Sequence, residues 1–139
     1  MLSIMPTDTE QDQLLGAARA AQNQAYAPYS HFAVGAAVLD EHGRIHAGCN
    51  VENAAYPLGM CAEALAIATM VREGGRSVLG LLVVGEGEHL VTPCGGCRQR
   101  LREFASDATP VLVADLERVR AQFTLGELLP ASFGPENLA

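Results

Sequence analysis

The feature that most narrows the fold is Val78-Leu79-Gly80-Leu81-Leu82-Val83-Val84, seven residues without a polar side chain. Successive side chains of a strand point to opposite faces, so a strand apolar throughout needs cover on both. It belongs inside a sheet with helices above and below. The rest of the chain supplies the partners. Residues 32–39 are a second apolar run of strand length, Asp40-Glu41-His42-Gly43 is a turn, and residues 44–49 return as the second arm of a hairpin. Residues 110–114 read as a fourth strand and 123–125 as a fifth. A helix is expected over 8–24, opened by the capping box Thr7-x-x-Glu10 and carrying Leu14, Leu15, Ala18, Ala21 and Ala25 at helical spacing. Further helices are expected over 61–72, ended by Glu73-Gly74-Gly75, and over 93–105. Residues 50–57 and 85–92 read as loops, 1–6 as a loose tail, and 128–139 as a tail that packs on something. With no repeat and no linker, the expectation is one α/β domain over 1–139, with helices on both faces of about five strands.

The 139 residues suit a single core. The net charge is −7, and all nine basic residues are Arg. Their densest cluster, Arg98, Arg100 and Arg102, is too short for a phosphate-tracking surface, which argues against a nucleic-acid polymer and for a small uncharged partner. No apolar run approaches the ~20 residues of a membrane span, and residues 1–12 lack the pattern of a secretory signal. A cytoplasmic setting is therefore expected. In a reducing compartment the four cysteines read as metal ligands or catalytic groups before disulfides. Mean hydropathy is +0.14 and charged residues make up only 18%, which points to apolar surface covered by other subunits.

Two segments carry chemistry. Cys61-Ala62-Glu63 opens one expected helix and Pro93-Cys94-Gly95-Gly96-Cys97 opens another. Two cysteines separated by two residues chelate one zinc ion from a single turn, and three thiolates leave one tetrahedral position for water. Helix N-termini favour the thiolate form. The pattern of ligand-x-Glu followed by Pro-Cys-x-x-Cys resembles that of the zinc deaminases, in which the Glu moves protons and does not bind metal. Glu63 fits that role. Were Cys49 a fourth ligand, the site would instead be a closed, structural zinc module.

With these residues placed, nearly the whole chain resembles the small, single-domain cytidine deaminases. The resemblance rests on Ala27-Pro28-Tyr29-Ser30-His31-Phe32-Ala33-Val34-Gly35-Ala36-Ala37, Gly48-Cys49-Asn50-Val51-Glu52-Asn53-Ala54, Cys61-Ala62-Glu63 and Thr92-Pro93-Cys94-Gly95-Gly96-Cys97-Arg98-Gln99. It implies a three-layer α/β/α fold around a mixed sheet. It also implies one Zn2+ per chain on Cys61, Cys94 and Cys97, and hydrolysis of cytidine and 2′-deoxycytidine to the uridines and ammonia, as in pyrimidine salvage. Phe32 would contact the pyrimidine, Asn50 and Glu52 the ribose hydroxyls, and the Ala62 backbone the base near O2. Tyr56 and Phe133 would help complete a neighbouring subunit's pocket in a homotetramer with shared active sites.

One position departs from the family. An Arg usually follows the catalytic Glu and offsets the charge of the thiolates; here that residue is Ala64. The expectation is that Arg98, or the two helix N-termini, takes over as an outer partner of the thiolates. Deaminases of blasticidin S-type antibiotic nucleosides share the zinc motif, but are not expected to keep the whole of Asn50-x-Glu52-Asn53. The four histidines, His31, His42, His46 and His89, lie outside the cysteine motifs and read as surface or loop residues, His46 as partly buried.

Overall fold

β3 (Val78–Val84) lies in the middle of one five-stranded sheet, as its apolar run requires. The structure is a computed structural model and describes residues 5–139. The strand order is β2-β1-β3-β4-β5, where β1 is Gly35–Asp40, β2 is Ile45–Cys49, β4 is Pro110–Ala114 and β5 is Val119–Thr124. β3 and β4 run parallel and every other pair is antiparallel, so the sheet is mixed. Of the seven apolar residues only Leu79 is markedly exposed; it precedes the first β4 pairing, Leu81↔Val111.

The alternation of strand side chains builds two cores. Ala37, Leu39, Leu82, Val84, Leu112 and Ala114 face α1 (Asp8–Gln22), which contributes Leu14 and Ala18. Ala36, Val38, Leu81 and Val111 face the other way, against Ala66, Ile67 and Met70 of α2 (Ala62–Arg72) and Leu101 of α3 (Gly95–Arg102). These are the three layers expected. The α1 capping box forms as read, with Thr7 and Glu10 exchanging side-chain-to-backbone hydrogen bonds.

A glycine sets how closely α2 approaches the sheet. A Cβ on Gly48 of β2 would stand 2.5 Å from the Ala66 nitrogen and 2.6 Å from the Ala62 oxygen. Any side chain there would lift the first turn of α2, which carries Glu63, off the sheet.

The differences from expectation have physical reasons. β1 begins at Gly35, not Phe32, because Asn50 holds the preceding segment: Val34 N–H donates to Asn50 Oδ1 and Asn50 Nδ2 donates to the Phe32 carbonyl. β5 starts four residues earlier than read; its residues alternate half-buried and exposed, the pattern of an edge strand, which hydropathy alone does not find. It continues into a short helix, α4 (Leu125–Leu128), capped by Thr124 and Glu127, where a tail was expected to begin. Short 3-10 turns interrupt the loop at Tyr56–Leu58 and the C-terminal segment at Pro135–Asn137. Of the expected N-terminal tail, residues 1–4 lie outside the described residues; Pro6 is buried against Gly80 and its carbonyl accepts from Gln11.

Candidate active site

Two helices place their N-termini side by side. Cys61 is the N-cap of α2 and Cys94 the N-cap of α3, while Cys97 lies in the first turn of α3. The three sulfur atoms lie within 4.8 Å of one another, with Cys61 Sγ 3.9 Å from Cys94 Sγ. Cys49 is buried and separate from this group, so the closed four-cysteine site lacks its fourth member.

Glu63 is the second residue of α2 and only 5% exposed. Burial pushes its carboxyl above the ordinary glutamate value, against the pull of its own backbone N–H and the Arg100 charge. Burial likewise pushes the Cys61 thiol up, and pushes Cys97 up further, with the charges of Glu63, Cys61 and Cys94 adding to it. Cys94 goes the other way; burial opposes its ionisation, but the nearby Cys97 N–H and the neighbouring thiols hold it below the usual thiol value. Three soft sulfur donors and a carboxylate thus crowd one another's negative charge, a donor set that fits zinc. A divalent cation on the thiolates relieves the crowding.

A cavity of about 400 Å3 opens beside the thiols. Cys61, Ala62, Glu63 and Cys94 line one part of it, and Phe32, Val34, Asn50, Glu52 and Tyr56 line the rest. Ala62 is the first residue of α2, where backbone N–H groups have no partner within the helix. Phe32 is 43% exposed and faces the cavity, not a core. Glu52 accepts from the Tyr29 and Ser30 backbone N–H groups and from the Ser30 hydroxyl. The Ser30 hydroxyl bond, outweighing burial, keeps its carboxyl below the ordinary value. His31, in the left-handed region at φ 58°, turns the chain between Ser30 and Phe32.

The placement of one residue, Arg98, differs from expectation. Tyr56 lines this chain's own cavity. Phe133 does not; it is exposed, with its carbonyl accepting from Gln99. Arg98 does not reach the thiols: its guanidinium donates to the Pro93 carbonyl (2.7 Å), the Leu128 carbonyl (2.8 Å) and Thr92 Oγ1 (3.1 Å). It braces the loop that leads into Cys94. The guanidinium beside the thiols belongs to Arg100, whose Nη1 lies 3.6 Å from Cys97 Sγ. Helix geometry is the signal that finds it, since residues three apart share a face and adjacent residues do not. Val51, Gly59, Met60, Val91 and Thr92 complete the lining, and of these Gly59, Met60 and Val91 lie outside the motifs that carry the resemblance.

Residues 8–113 match the family described as the cytidine and deoxycytidylate deaminase zinc-binding region. The chain belongs to that family. It is 43% identical over 128 residues to a cytidine deaminase of Sporosarcina psychrophila, covering 92% of this chain and 94% of the relative. A cytidine deaminase of Mycobacterium tuberculosis is 41% identical over 131 residues, covering 94% of this chain and 95% of the relative. The crystal structure of cytidine deaminase from Burkholderia pseudomallei superposes with a TM-score of 0.81 at 41% identity, over 88% of this chain and 98% of that one. Among the described residues no helix is long and apolar enough to cross a membrane.

Proposed function

We propose that this chain deaminates cytidine and 2′-deoxycytidine by hydrolysis to uridine and 2′-deoxyuridine, releasing ammonia, with one Zn2+ per chain. The observation that carries the reading is one cavity that joins the buried Glu63 and two members of the three-thiol cluster, Cys61 and Cys94, to the polar pair Asn50 and Glu52. Its size suits a nucleoside. The carboxylate of Glu52, kept ionised, accepts hydrogen bonds from sugar hydroxyls. The Asn50 amide, already bonded to the Phe32 carbonyl and the Val34 N–H, holds Phe32 against the base and has remaining capacity for a hydroxyl. The Ala62 N–H offers a donor to O2.

Zn2+ on Cys61, Cys94 and Cys97 would supply the Lewis acidity that lets water ionise near neutral pH. Glu63 takes the proton that the attacking water loses and delivers it to N3 as the water oxygen bonds to C4. It then takes the proton of the new hydroxyl on C4 and delivers it to the amino group, which leaves as ammonia as its bond to C4 breaks and C4 becomes the carbonyl of the product. Burial suits Glu63 to this traffic, because a carboxyl raised above the ordinary glutamate value holds an accepted proton more readily and can pass it on.

The same reading places the chain in pyrimidine salvage in the cytoplasm, as a homotetramer. Exposed Val51, Tyr56, Leu58 and Met60 near the cavity, and the exposed Phe133 ring, support burial by neighbouring subunits. Parallel turnover assays on cytidine, 2′-deoxycytidine and blasticidin S test the substrate class. Faster turnover of cytidine and 2′-deoxycytidine than of blasticidin S supports the reading; faster turnover of blasticidin S overturns it.

A further inference from the structure

The donor set leaves a charge unmatched. Three thiolates around one divalent cation carry a net charge of −1, and Glu63 adds another when ionised. The two helix N-termini contribute only about half a positive charge each, by general estimates of the helix dipole. The full positive charge in contact with the sulfurs is the Arg100 guanidinium, 3.6 Å from Cys97 Sγ. It lies three residues along α3 from Cys97, on the same face. No carboxylate lies within ion-pair distance of it among the described residues. The crevice that admits it runs between α2 and α3, where Ala64 and Ala68 stand on the α2 side and Arg100 and Glu103 on the other. The methyl side chain of Ala64 leaves that crevice open.

We propose that Arg100 is the positioning residue that balances the thiolate charge of the metal site, reaching it from α3 through the space Ala64 leaves. This rests on the reading of Cys61, Cys94 and Cys97 as zinc ligands. Guanidinium-to-sulfur bonding stabilises the thiolate form and so favours retention of the cation.

The test is zinc affinity without substrate, by competition with a chromophoric chelator, for the unchanged protein and three variants whose folding is checked by circular dichroism. Arg100→Gln should bind zinc about ten- to a hundredfold more weakly, the usual effect of removing an outer partner of a ligand. Arg100→Lys, which keeps the charge, should recover much of that loss. Glu103→Gln, in the same crevice, should bind as the unchanged protein does. Unchanged affinity in Arg100→Gln, equal losses in the Gln and Lys variants, or a matching loss in Glu103→Gln would each overturn the proposal. Because zinc is read directly, the two claims separate. A chain that needs Arg100 for zinc but leaves cytidine untouched sinks only the proposed reaction. One that turns over cytidine with zinc affinity indifferent to Arg100 sinks only this inference.

Discussion

Two acidic side chains are buried in the described part of this chain, and they are treated in opposite ways. Asp40, at the end of β1, accepts from the backbone N–H of His42 (2.8 Å) and of Arg44 (2.9 Å), from Arg44 Nε (3.1 Å) and from His46 Nε2 (2.8 Å). Burial alone would raise its carboxyl; the His46 bond, the two backbone bonds and the Arg44 charge overcome that and hold it well below the ordinary aspartate range. Glu63, at the start of α2, has only its own backbone N–H and the Arg100 charge against burial, and its carboxyl rises. Burial therefore does not decide what an acid does; the donors aimed at it do. A fully bonded carboxylate holds a hairpin together. A sparsely bonded one, facing a cavity, is free to exchange protons.

The largest expected effect is on Glu63. Glu63→Gln should lower cytidine turnover about 10²- to 10⁴-fold, the range of a general acid–base residue, with thermal stability kept. Uridine formation and a melting curve measure both. Turnover near the unchanged rate would remove the functional half of the contrast. Asp40→Ala should do the reverse, costing about 2–4 kcal/mol in denaturant unfolding because buried donors lose their acceptor. Its turnover per folded molecule should stay close to that of the unchanged protein.

Acid sharpens the contrast. The folded carboxyl of Asp40 lies below its unfolded value near 3.8, so its contribution is complete above that pH and is lost as pH falls below it. The unchanged protein should lose stability on acidification below about pH 4, and Asp40→Ala should show a flatter dependence there. Equal slopes would mean that the Asp40 network is not what acid breaks. Glu52 is intermediate, half-buried and bonded to the 29–30 backbone. Glu52→Gln should raise KM for cytidine about tenfold, the value of one charge-assisted bond, with a smaller change in kcat. A loss in kcat alone would move Glu52 from sugar binding to the chemistry.

The sequence carried the chemistry more legibly than the packing. Cys61, Glu63, Cys94 and Cys97 are local patterns, and helix geometry forces each motif to present its residues together. The central place of β3 followed from its composition. Arg98 was expected where Arg100 stands, because choosing between them requires knowing which face of α3 meets the cysteine cluster. The Asp40–His46 pair depends on the fold of the β1–β2 hairpin, and that fold brings together residues of unremarkable spacing. Only the end of β5 was legible, because an edge strand needs only half its residues to be apolar, and Val119-Arg120-Ala121-Gln122 carries no continuous apolar run.

The most direct test of the central claim is ultraviolet monitoring of cytidine incubated with the purified protein, with and without a chelator. The account predicts conversion to uridine that stops when zinc is stripped and resumes when zinc is restored. No conversion by protein carrying one zinc per chain would contradict it.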